Sequence, residues 1–247
     1  ARPEDIEAFR EEMGLNGPFI VRYVNYMLGL CQGDLGTSYK TRDPVGEEVW
    51  ARLPNTAMLA LTSTVVAILL ALPLGIIAAI KQNTLFDGIS MFISLLGISM
   101  PVFWMGLLLI LFFSVKLGWF PVSGADQGIK SLVLPSIALG FMHMASIART
   151  TRSSMLETIR QDYIRTVRAK GLPEKEVITR HALRNALIPT TTVIGLQIGG
   201  MLGGSVLTES VFAWPGIGRY MIQSIQGRDI PSVMGCIIIF ALSFAVI

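Results

Sequence analysis

The charged residues of this chain are confined to a few segments, and this segregation constrains the fold more than any other feature. Asp, Glu, Lys and Arg make up 15% of the 247 residues, against roughly 25% in a soluble domain. About 20 apolar residues of helix cross a bilayer core of about 30 Å, and lipid offers the backbone no other partner. Five charge-free segments reach or approach that length: 53–80, 89–115, 131–148, 185–208 and 230–247. The sequence therefore predicts an all-α, polytopic membrane helix bundle with five visible spans.

The rival interpretation, buried core helices of a large soluble protein, fits poorly because soluble helices carry a polar face. The chain also begins with Ala1 and ends inside an apolar run. We therefore expect sequence to be missing at both ends. One earlier span would give six in the full chain, with both termini in the cytoplasm.

Positive charge predicts which side of the membrane each connection occupies. Residues 149–187 hold nine Lys or Arg against four Asp or Glu, and such an excess favours the cytoplasmic side. Counting spans from there places 116–130 and 211–229 outside. The chain is thus predicted to divide into an exterior (periplasmic) segment, 1–52, and a transmembrane domain, 53–247. The net charge of +3 is too small to indicate nucleic acid.

Two short amphipathic helices are predicted within the exterior segment. The first covers 3–13 and ends at Gly14, and the pair Gly17-Pro18 then breaks the chain. The second covers 19–30 and places five side chains on one face: Phe19, Tyr23, Tyr26, Met27 and Leu30. This face can lie at headgroup depth or pack on the exterior ends of the spans, and the sequence leaves both open.

Glycines and prolines punctuate the predicted spans. Gly195, Gly199 and Gly203 recur at helical spacing and are predicted to let a second helix approach closely. A phosphate-binding loop is excluded because the glycines are not followed by the required Lys and Ser or Thr. Pro73 and Pro101 are predicted to bend their helices, either only to shape packing or to outline a pathway.

The predicted spans contain no catalytic constellation. His143 lies between two methionines, but neighbouring helical positions point in different directions, so the three cannot face one metal. A packed or locally hydrogen-bonded histidine is favoured over a ligand or proton relay. Hydroxyls such as those of Thr64 and Ser94 are expected to bond carbonyls of their own helices rather than line a pathway. Cys31 and Cys236 are predicted at different depths and hence unpaired.

The segment 162–189 is predicted to form a helix, a sharp turn and a second helix in water. Gly171 can take the left-handed conformation that ends a helix. Pro173 suits the first turn of the next helix, with Glu174 near its positive end. Such a rigid element can seat in a cleft of a soluble partner, or it can be a solvated hairpin that only anchors the topology. The residues alone leave both interpretations open.

The same segment carries a family resemblance. Asp162 to Gly171, followed by Ile188-Pro189, resembles the EAA loop of ABC importer permeases, although Arg165-Thr166-Val167 replaces a literal Glu-Ala-Ala. Over nearly its whole length the chain resembles permeases of the dipeptide/oligopeptide/nickel importer family. The ordered motifs are Gly33-Asp34-Leu35-Gly36-x-Ser38, Arg52-Leu53-Pro54-x-Thr56, Pro73-x-Gly75, Arg149-x-Thr151-Arg152, His181-Ala182-Leu183-Arg184-Asn185-Ala186, Glu209 with Phe212, and Trp214-Pro215-Gly216-x-Gly218-Arg219.

This resemblance implies the type I ABC importer permease fold and a membrane subunit that is not itself an enzyme and holds no cofactor or metal. The chain would form half of a pathway for peptides in the bacterial inner membrane, with nickel or nickel chelates, glutathione or sugars as alternative cargo. Its partners would be a homologous second permease, two ABC ATPase subunits carrying ATP and Mg, an extracytoplasmic solute-binding protein and membrane lipid.

Two sets of site residues are predicted. The element that the ATPases would push comprises Asp162, Tyr163, Thr166, Ala169, Lys170, Gly171, Pro173 and Glu174. A possible exterior gate or binding-protein contact comprises Trp214, Pro215, Gly216, Gly218 and Arg219. Functions of another class, an ion-driven carrier or an intramembrane enzyme, would need charged or paired polar side chains at membrane depth. The five charge-free segments lack them.

Overall fold

Helices account for most of residues 16–246, the part of the chain that this computed structural model describes. The helix predicted at 3–13 lies outside these residues. In chain order the α-helices are α1 (Phe19–Cys31), α2 (Val45–Ile80), α3 (Leu85–Ser99), α4 (Val102–Leu109), α5 (Ile129–Ile159), α6 (Asp162–Ala169), α7 (Glu174–Glu176), α8 (Leu183–Val211), α9 (Ile217–Gln226) and α10 (Ile230–Val246). Two π-helical segments, Ile110–Lys116 and Val177–Ala182, continue α4 and lead into α8.

Three helical stretches are each long and apolar enough to cross a membrane: α2, α5 and Glu174–Gly203, which includes most of α8. Helix α3 and α4 with its π-helical continuation pass only as a pair, bent by 104°. Helix α10 is apolar but has only 17 residues. Within residues 16–246, the five predicted spans therefore correspond to three uninterrupted helices, one broken pair and one short helix.

The expectation of one continuous helix over 89–115 is wrong, and Pro101 explains why. A proline has no N–H to donate, and its ring disfavours the helical conformation of the preceding residue. Met100 accordingly has φ −90° and ψ 126°, so α3 ends at Ser99 and α4 begins at Val102. Pro73, by contrast, lies inside α2 without ending it.

Helix α5 lies at the centre of the bundle. It packs most extensively against α2, next against α8, and also against α3. Of its 31 residues, 17 are buried, and Leu139, Met144 and Ile147 belong to the main apolar cluster. The all-helical membrane bundle predicted from the sequence is confirmed, with α5 as its axis.

Glycine lets α5 come into backbone contact with α2 and α3. A Cβ on Gly140 of α5 would lie 2.6 Å from the carbonyl oxygen of Ser63 on α2. A Cβ on Gly75 of α2 would be equally close to the backbone of α5, and one on Gly97 of α3 would overlap the carbonyl oxygen of Phe141. Small residues at these crossings allow helices to pack closely in lipid.

The predicted glycine stripe of α8 is used only in part within the described chain. A Cβ on Gly199 would lie 2.9 Å from the ring of Phe244 on α10, so the two helices meet closely there. Gly195 and Gly203 have open space at their Cβ positions. Helical spacing decides which residues share a face but not which face meets a neighbour. A close approach at Gly195 and Gly203 would need a helix from another chain and stays a prediction.

The helix predicted at 19–30 is confirmed as α1, but its apolar side chains are exposed. None of its 13 residues is buried, and Phe19 and Ile20 are more than 70% exposed. Its C-terminal half is held in part: Leu30 packs with Leu35 and Val45, and Tyr26 is half-buried with its hydroxyl covered. Packing on the ends of the spans therefore applies to one side of this half, and the N-terminal half of α1 is open to solvent or lipid.

Asp229 holds the connection that follows α1 against the start of α10. Its carboxylate accepts hydrogen bonds from the Ser38 hydroxyl at 2.6 Å, the Tyr39 N–H at 2.9 Å and the Ser232 hydroxyl at 2.7 Å. Burial raises the pKa of this carboxyl, but the hydrogen bonds outweigh burial and bring the pKa below its ordinary value. The location of this end outside the cell, and the domain boundary between residues 52 and 53, stay predictions.

Replacing Gly140 by Ala is expected to destabilise the bundle because the added methyl group must push α2 and α5 apart. Overpacking of this kind costs about 1–3 kcal/mol, against the roughly 1 kcal/mol by which Ala is favoured over Gly in a helix. The matched control is Gly195→Ala, where the methyl group meets open space. Thermal unfolding in detergent should begin at a lower temperature for G140A than for G195A. Equal unfolding temperatures would contradict the close contact.

Candidate functional site

The elbow, residues 162–182, consists of α6, the turn at Gly171, α7 and the π-helical segment before α8. It begins shortly after the end of α5 and leads directly into α8, so it joins two of the predicted spans. Gly171 has a φ of +78°, the left-handed conformation that glycine adopts most readily, and Pro173 is the N-cap of α7. The predicted helix, turn and second helix are confirmed, with π-helical geometry at Val177–Ala182.

An apolar cluster fixes the elbow to the ends of three helices. Ile164 of α6 is fully buried and belongs to a cluster with Ala79 of α2, Met155 of α5 and Ala186 of α8. Val177 of the π-helical segment is also part of this cluster. Ile164 therefore shares one apolar cluster with residues from the ends of α2, α5 and α8.

Two polar contacts brace the elbow from within. The Tyr163 hydroxyl donates to the carbonyl oxygen of His181 at 3.3 Å and accepts from the Asn185 amide at 2.6 Å. The Arg168 guanidinium donates to both carboxylate oxygens of Glu174 across the turn, at 2.7 and 3.1 Å. These hydrogen bonds raise the pKa of Arg168 further above its ordinary value, so it stays charged at physiological pH.

The outer face of the elbow carries most of the residues predicted to contact an ATPase. The side chains of Asp162 and Arg165 are 95% and 77% exposed. Arg165 was not among the predicted contact residues. Besides Asp162, the predicted contact residues that are exposed are Thr166, Ala169, Lys170, Gly171, Pro173 and Glu174. Tyr163 differs, since it is half-buried and bonded to the segment that leads into α8. Contact between this face and an ATPase stays a prediction.

Glu209, near the far end of α8 from the elbow, is fully buried. Its Oε1 accepts hydrogen bonds from the hydroxyls of Thr56 at 2.8 Å and Ser205 at 3.0 Å, and its Oε2 accepts the backbone N–H of Arg219 at 3.0 Å. The Thr56 hydroxyl also accepts the N–H of Ile217 at 2.9 Å. The carboxylate thus lies at the start of α9, where unpaired N–H groups favour negative charge.

The position of Glu209 explains the two glycines of the motif Trp214-Pro215-Gly216-x-Gly218. A Cβ on Gly216 would overlap the Glu209 carboxyl group. A Cβ on Gly218 would lie 3.0 Å from the Glu209 Oε2 and 2.5 Å from the Cα of Val206. The backbone wraps the carboxylate so closely that a larger residue would displace it.

Trp214 is locked into the same arrangement and is only 2% exposed. Its indole N–H donates to the carbonyl oxygen of Asn55 at 3.0 Å, and the Asn55 amide donates to that of Pro215 at 2.9 Å. Arg219 donates to the carbonyl oxygen of Ala213 at 2.6 Å. The clasp, which joins α2, α8 and α9, comprises Asn55, Thr56, Ser205, Glu209 and residues 213–219. Burial leaves the Trp214 ring no surface for a direct partner contact in this arrangement, and a gating role stays a prediction.

Three buried carboxylates, Asp87, Glu209 and Asp229, were not predicted from the sequence. Each lies one or two residues outside a charge-free segment, so a search for charges inside those segments misses all three. Asp87 is 6% exposed and pairs with Arg152 of α5. Glu209, and Arg152 as the partner of Asp87, both belong to the family motifs. These motifs were the only sequence signal that pointed to either site.

His143 is locally hydrogen-bonded, as predicted. Its Nδ1 lies 2.9 Å from the Oε1 of Gln197 on α8, within hydrogen-bonding distance. The hydroxyls of Thr64 and Ser94 donate to carbonyl oxygens one turn earlier in their own helices, as expected. Thr56 differs, because its hydroxyl serves the clasp, and the buried hydroxyl of Ser63 has no hydrogen-bond partner among the described residues.

Replacing Glu209 by Ala is expected to destabilise the clasp because Thr56, Ser205 and the N–H of Arg219 lose their acceptor. A buried polar group left without a partner costs about 1–3 kcal/mol. The matched control is Ser210→Ala on the same helix, which loses only a bond to a carbonyl of α8. Thermal unfolding followed by tryptophan fluorescence should show a clearly lower midpoint for E209A than for S210A. Similar midpoints would contradict the role of the carboxylate.

Three relatives are similar along nearly the whole chain. The dipeptide transport system permease protein of Alkalihalophilus pseudofirmus is 46% identical, over 100% of this chain and 82% of the relative. The glutathione transport system permease protein of Escherichia coli K12 is 44% identical, over 98% and 79%. The oligopeptide transport system permease protein of Bacillus subtilis is 42% identical, over 96% and 78%.

A solved structure has a similar fold. The crystal structure of an amino acid ABC transporter with histidines aligns with a TM-score of 0.63 over 81% of this chain and 89% of that chain, at 15% identity. The family described as binding-protein-dependent transport system inner membrane component matches residues 71–247, a range that holds the whole elbow and most of the clasp. By this match and by relatives above 40% identity, the chain belongs to the family of binding-protein-dependent transport system inner membrane components.

Proposed function

We propose that this chain forms half of the pathway through which an ATP-driven importer moves peptides, and that the elbow couples the pathway to cytoplasmic ATPase subunits. The observation that carries the proposal is the construction of the elbow. It has a charged, exposed outer face and a fully buried anchor, Ile164, shared with three helices. A hairpin that only fixed the topology would need neither the anchor nor the bracing contacts.

Coupling follows from the rigidity of the elbow. The Arg168–Glu174 pair closes the turn and Tyr163 ties α6 to the segment before α8, so a push on the outer face moves the elbow as a unit. The cluster around Ile164 transmits that movement to α2, α5 and α8. Closure of two ATPase subunits on ATP would supply the push, and the helices would then alternate between inward and outward access.

The remaining partners complete the pathway and the cycle. ATP and Mg belong to the ATPase subunits, and the family description itself names a binding protein. A homologous second permease is the partner proposed for the open face of α8, where Ile188 and Leu196 are 66% and 65% exposed beside the open glycine positions. Small residues on such a face permit close helix contact in lipid. The complex would reside in the bacterial inner membrane.

Peptides are the proposed cargo because relatives at 46% and 42% identity are named for dipeptides and oligopeptides. The relative named for glutathione, at 44% identity, makes that tripeptide the second candidate. Delivery by a binding protein places most of the selectivity outside the membrane. The charge-free faces of the spans agree with weak contacts along the pathway.

A cysteine that replaces Lys170 is expected to cross-link to an ATPase subunit, since Lys170 is exposed at the end of α6. The experiment uses the complete complex with Cys31 and Cys236 replaced by Ser. The matched control is Lys130→Cys, another exposed lysine, in the connection predicted to lie outside. A membrane-impermeant maleimide should label Lys130→Cys, but not Lys170→Cys, in intact cells. Labelling of Lys170→Cys from outside the cell would contradict the coupling role. So would a Lys170→Cys variant that, like the control, cross-links to no ATPase subunit.

Cells that contain this chain and its partner subunits are expected to take up labelled di- and tripeptides in an ATP-dependent manner. Deletion of this chain should abolish that uptake, because half of the pathway is lost. Excess unlabelled peptide should compete, and glutathione should compete only if the second candidate is right. ATP-dependent uptake of nickel or a sugar that peptides do not inhibit would contradict the proposed cargo.

A further inference from the structure

A partly buried ion pair joins α3 to α5, two turns before α5 ends. Arg152 donates from Nε to the Oδ1 of Asp87 at 2.8 Å and from Nη2 to its Oδ2 at 2.7 Å. Asp87 is 6% exposed, and its Oδ2 also accepts the backbone N–H of Asn83 at 3.1 Å. The two parallel bonds of a guanidinium to a carboxylate fix the orientation of the partners as well as their distance.

The pair connects two elements that are far apart along the chain. Arg152 lies seven residues, or about two turns, before α5 ends at Ile159, and the elbow follows at once. Asp87 lies in the first turn of α3. Asn83, whose N–H it accepts, has a φ of +61° in the connection between α2 and α3. The start of α3 is thereby attached to the part of α5 nearest the elbow.

A second attachment lies deeper in the membrane. Gly97 follows Asp87 by ten residues, which at 1.5 Å per residue is about 15 Å along α3, and there it meets the backbone of α5 at Phe141. Two attachments on one helix fix its direction as well as its position. Loss of the ion pair would remove the polar attachment between the start of α3 and α5, while the Gly97 contact and the packing of α3 on α2 remain.

Resistance to separation is the physical property that distinguishes this pair. A partly buried ion pair adds little net stability because solvent screening and desolvation offset the attraction, whereas removing Arg152 leaves the charge of the buried Asp87 without its partner. The pair therefore opposes relative movement of α3 and α5 more than it stabilises the fold. The cluster around Ile164, by contrast, includes residues of α2, α5 and α8 but none of α3 among the described residues.

We propose that the Asp87–Arg152 pair makes α3, and α4 beyond the break at Pro101, follow α5 when the elbow is displaced during transport. Asp87 and Arg152 are positioning residues, because they act by holding two helices together and not by contact with cargo. The inference rests on the proposed function and deepens it. The Ile164 cluster would move α2, α5 and α8, and the ion pair would make α3 and α4 move with them.

The test compares uptake per ATP hydrolysed in reconstituted complexes. Asp87→Asn and Arg152→Gln should each hydrolyse ATP but lose about tenfold in this ratio, a typical size for coupling between sites. The exchanged pair, Asp87→Arg with Arg152→Asp, should recover most of the loss. The matched control is Arg149→Gln, an exposed arginine one turn earlier on α5, and it should leave the ratio unchanged.

The ratio separates positioning from a merely structural role. If uptake and ATP hydrolysis fall together, so that the ratio is unchanged, the pair serves folding or assembly and the inference is overturned. The inference would also be overturned if both single variants had the same uptake per ATP hydrolysed as the unaltered chain. An exchanged pair that assembles without recovering uptake would overturn it as well. Failure of the proposed function would appear instead in the parental chain, as the absence of ATPase binding or of ATP-dependent uptake.

A distance measurement tests the same inference with both residues of the pair in place. Spin labels at Phe92 on α3 and Glu157 on α5, both exposed, report the relative position of the two helices. The distance between the labels should be the same with and without ATP, because the two helices move together. A change in that distance on addition of ATP would overturn the inference even if the single variants failed to assemble.

Discussion

Backbone contact between α5 and its neighbours is the constraint on which the rest of the structure depends. Lipid tails are as apolar as the side chains they touch, so helices in a membrane are held by close packing and hydrogen bonds. Gly140, Gly75 and Gly97 remove the side chains that would keep α5 away from α2 and α3. Since α5 continues to Ile159, the packing of α5 inside the bundle also sets the position and direction from which the elbow starts.

The two ends of the bundle are held by different proportions of apolar packing and hydrogen bonding. The elbow end is closed mainly by apolar side chains around Ile164, with the Asp87–Arg152 pair close by. The clasp end is closed by directed hydrogen bonds to Glu209 and around Trp214, which tolerate little displacement without leaving buried groups unsatisfied. A movement that enters at the elbow would therefore be expected to turn the helices about the clasp. This asymmetry agrees with the proposal that an ATPase pushes the subunit at the elbow.

Much of the elbow was predictable from the sequence, whereas the clasp and the ion pair were not. Gly171 and Pro173 act through their own backbone conformations, so their roles are local and readable from the residues. Glu209 depends on a hydroxyl of α2 and an N–H of α9, and Asp87 depends on Arg152, 65 residues away. Partners so distant in sequence leave no spacing pattern, and the family resemblance could mark positions without explaining them.

The sequence by itself determined that the chain is a bundle of membrane helices, roughly where each span lies, and that a helix, a sharp turn and a second helix lie between two of them. These properties follow from apolar length, charge and the conformations of glycine and proline, all of which act over a few residues. Only the tertiary structure decided that Pro101 ends a helix rather than kinks it, and that Gly140, Gly75 and Gly97 bring α5 into backbone contact with α2 and α3 while Gly195 and Gly203 face open space. A repeat along one helix states which residues share a face, but the neighbour that fills that face is chosen by the packing of the whole bundle.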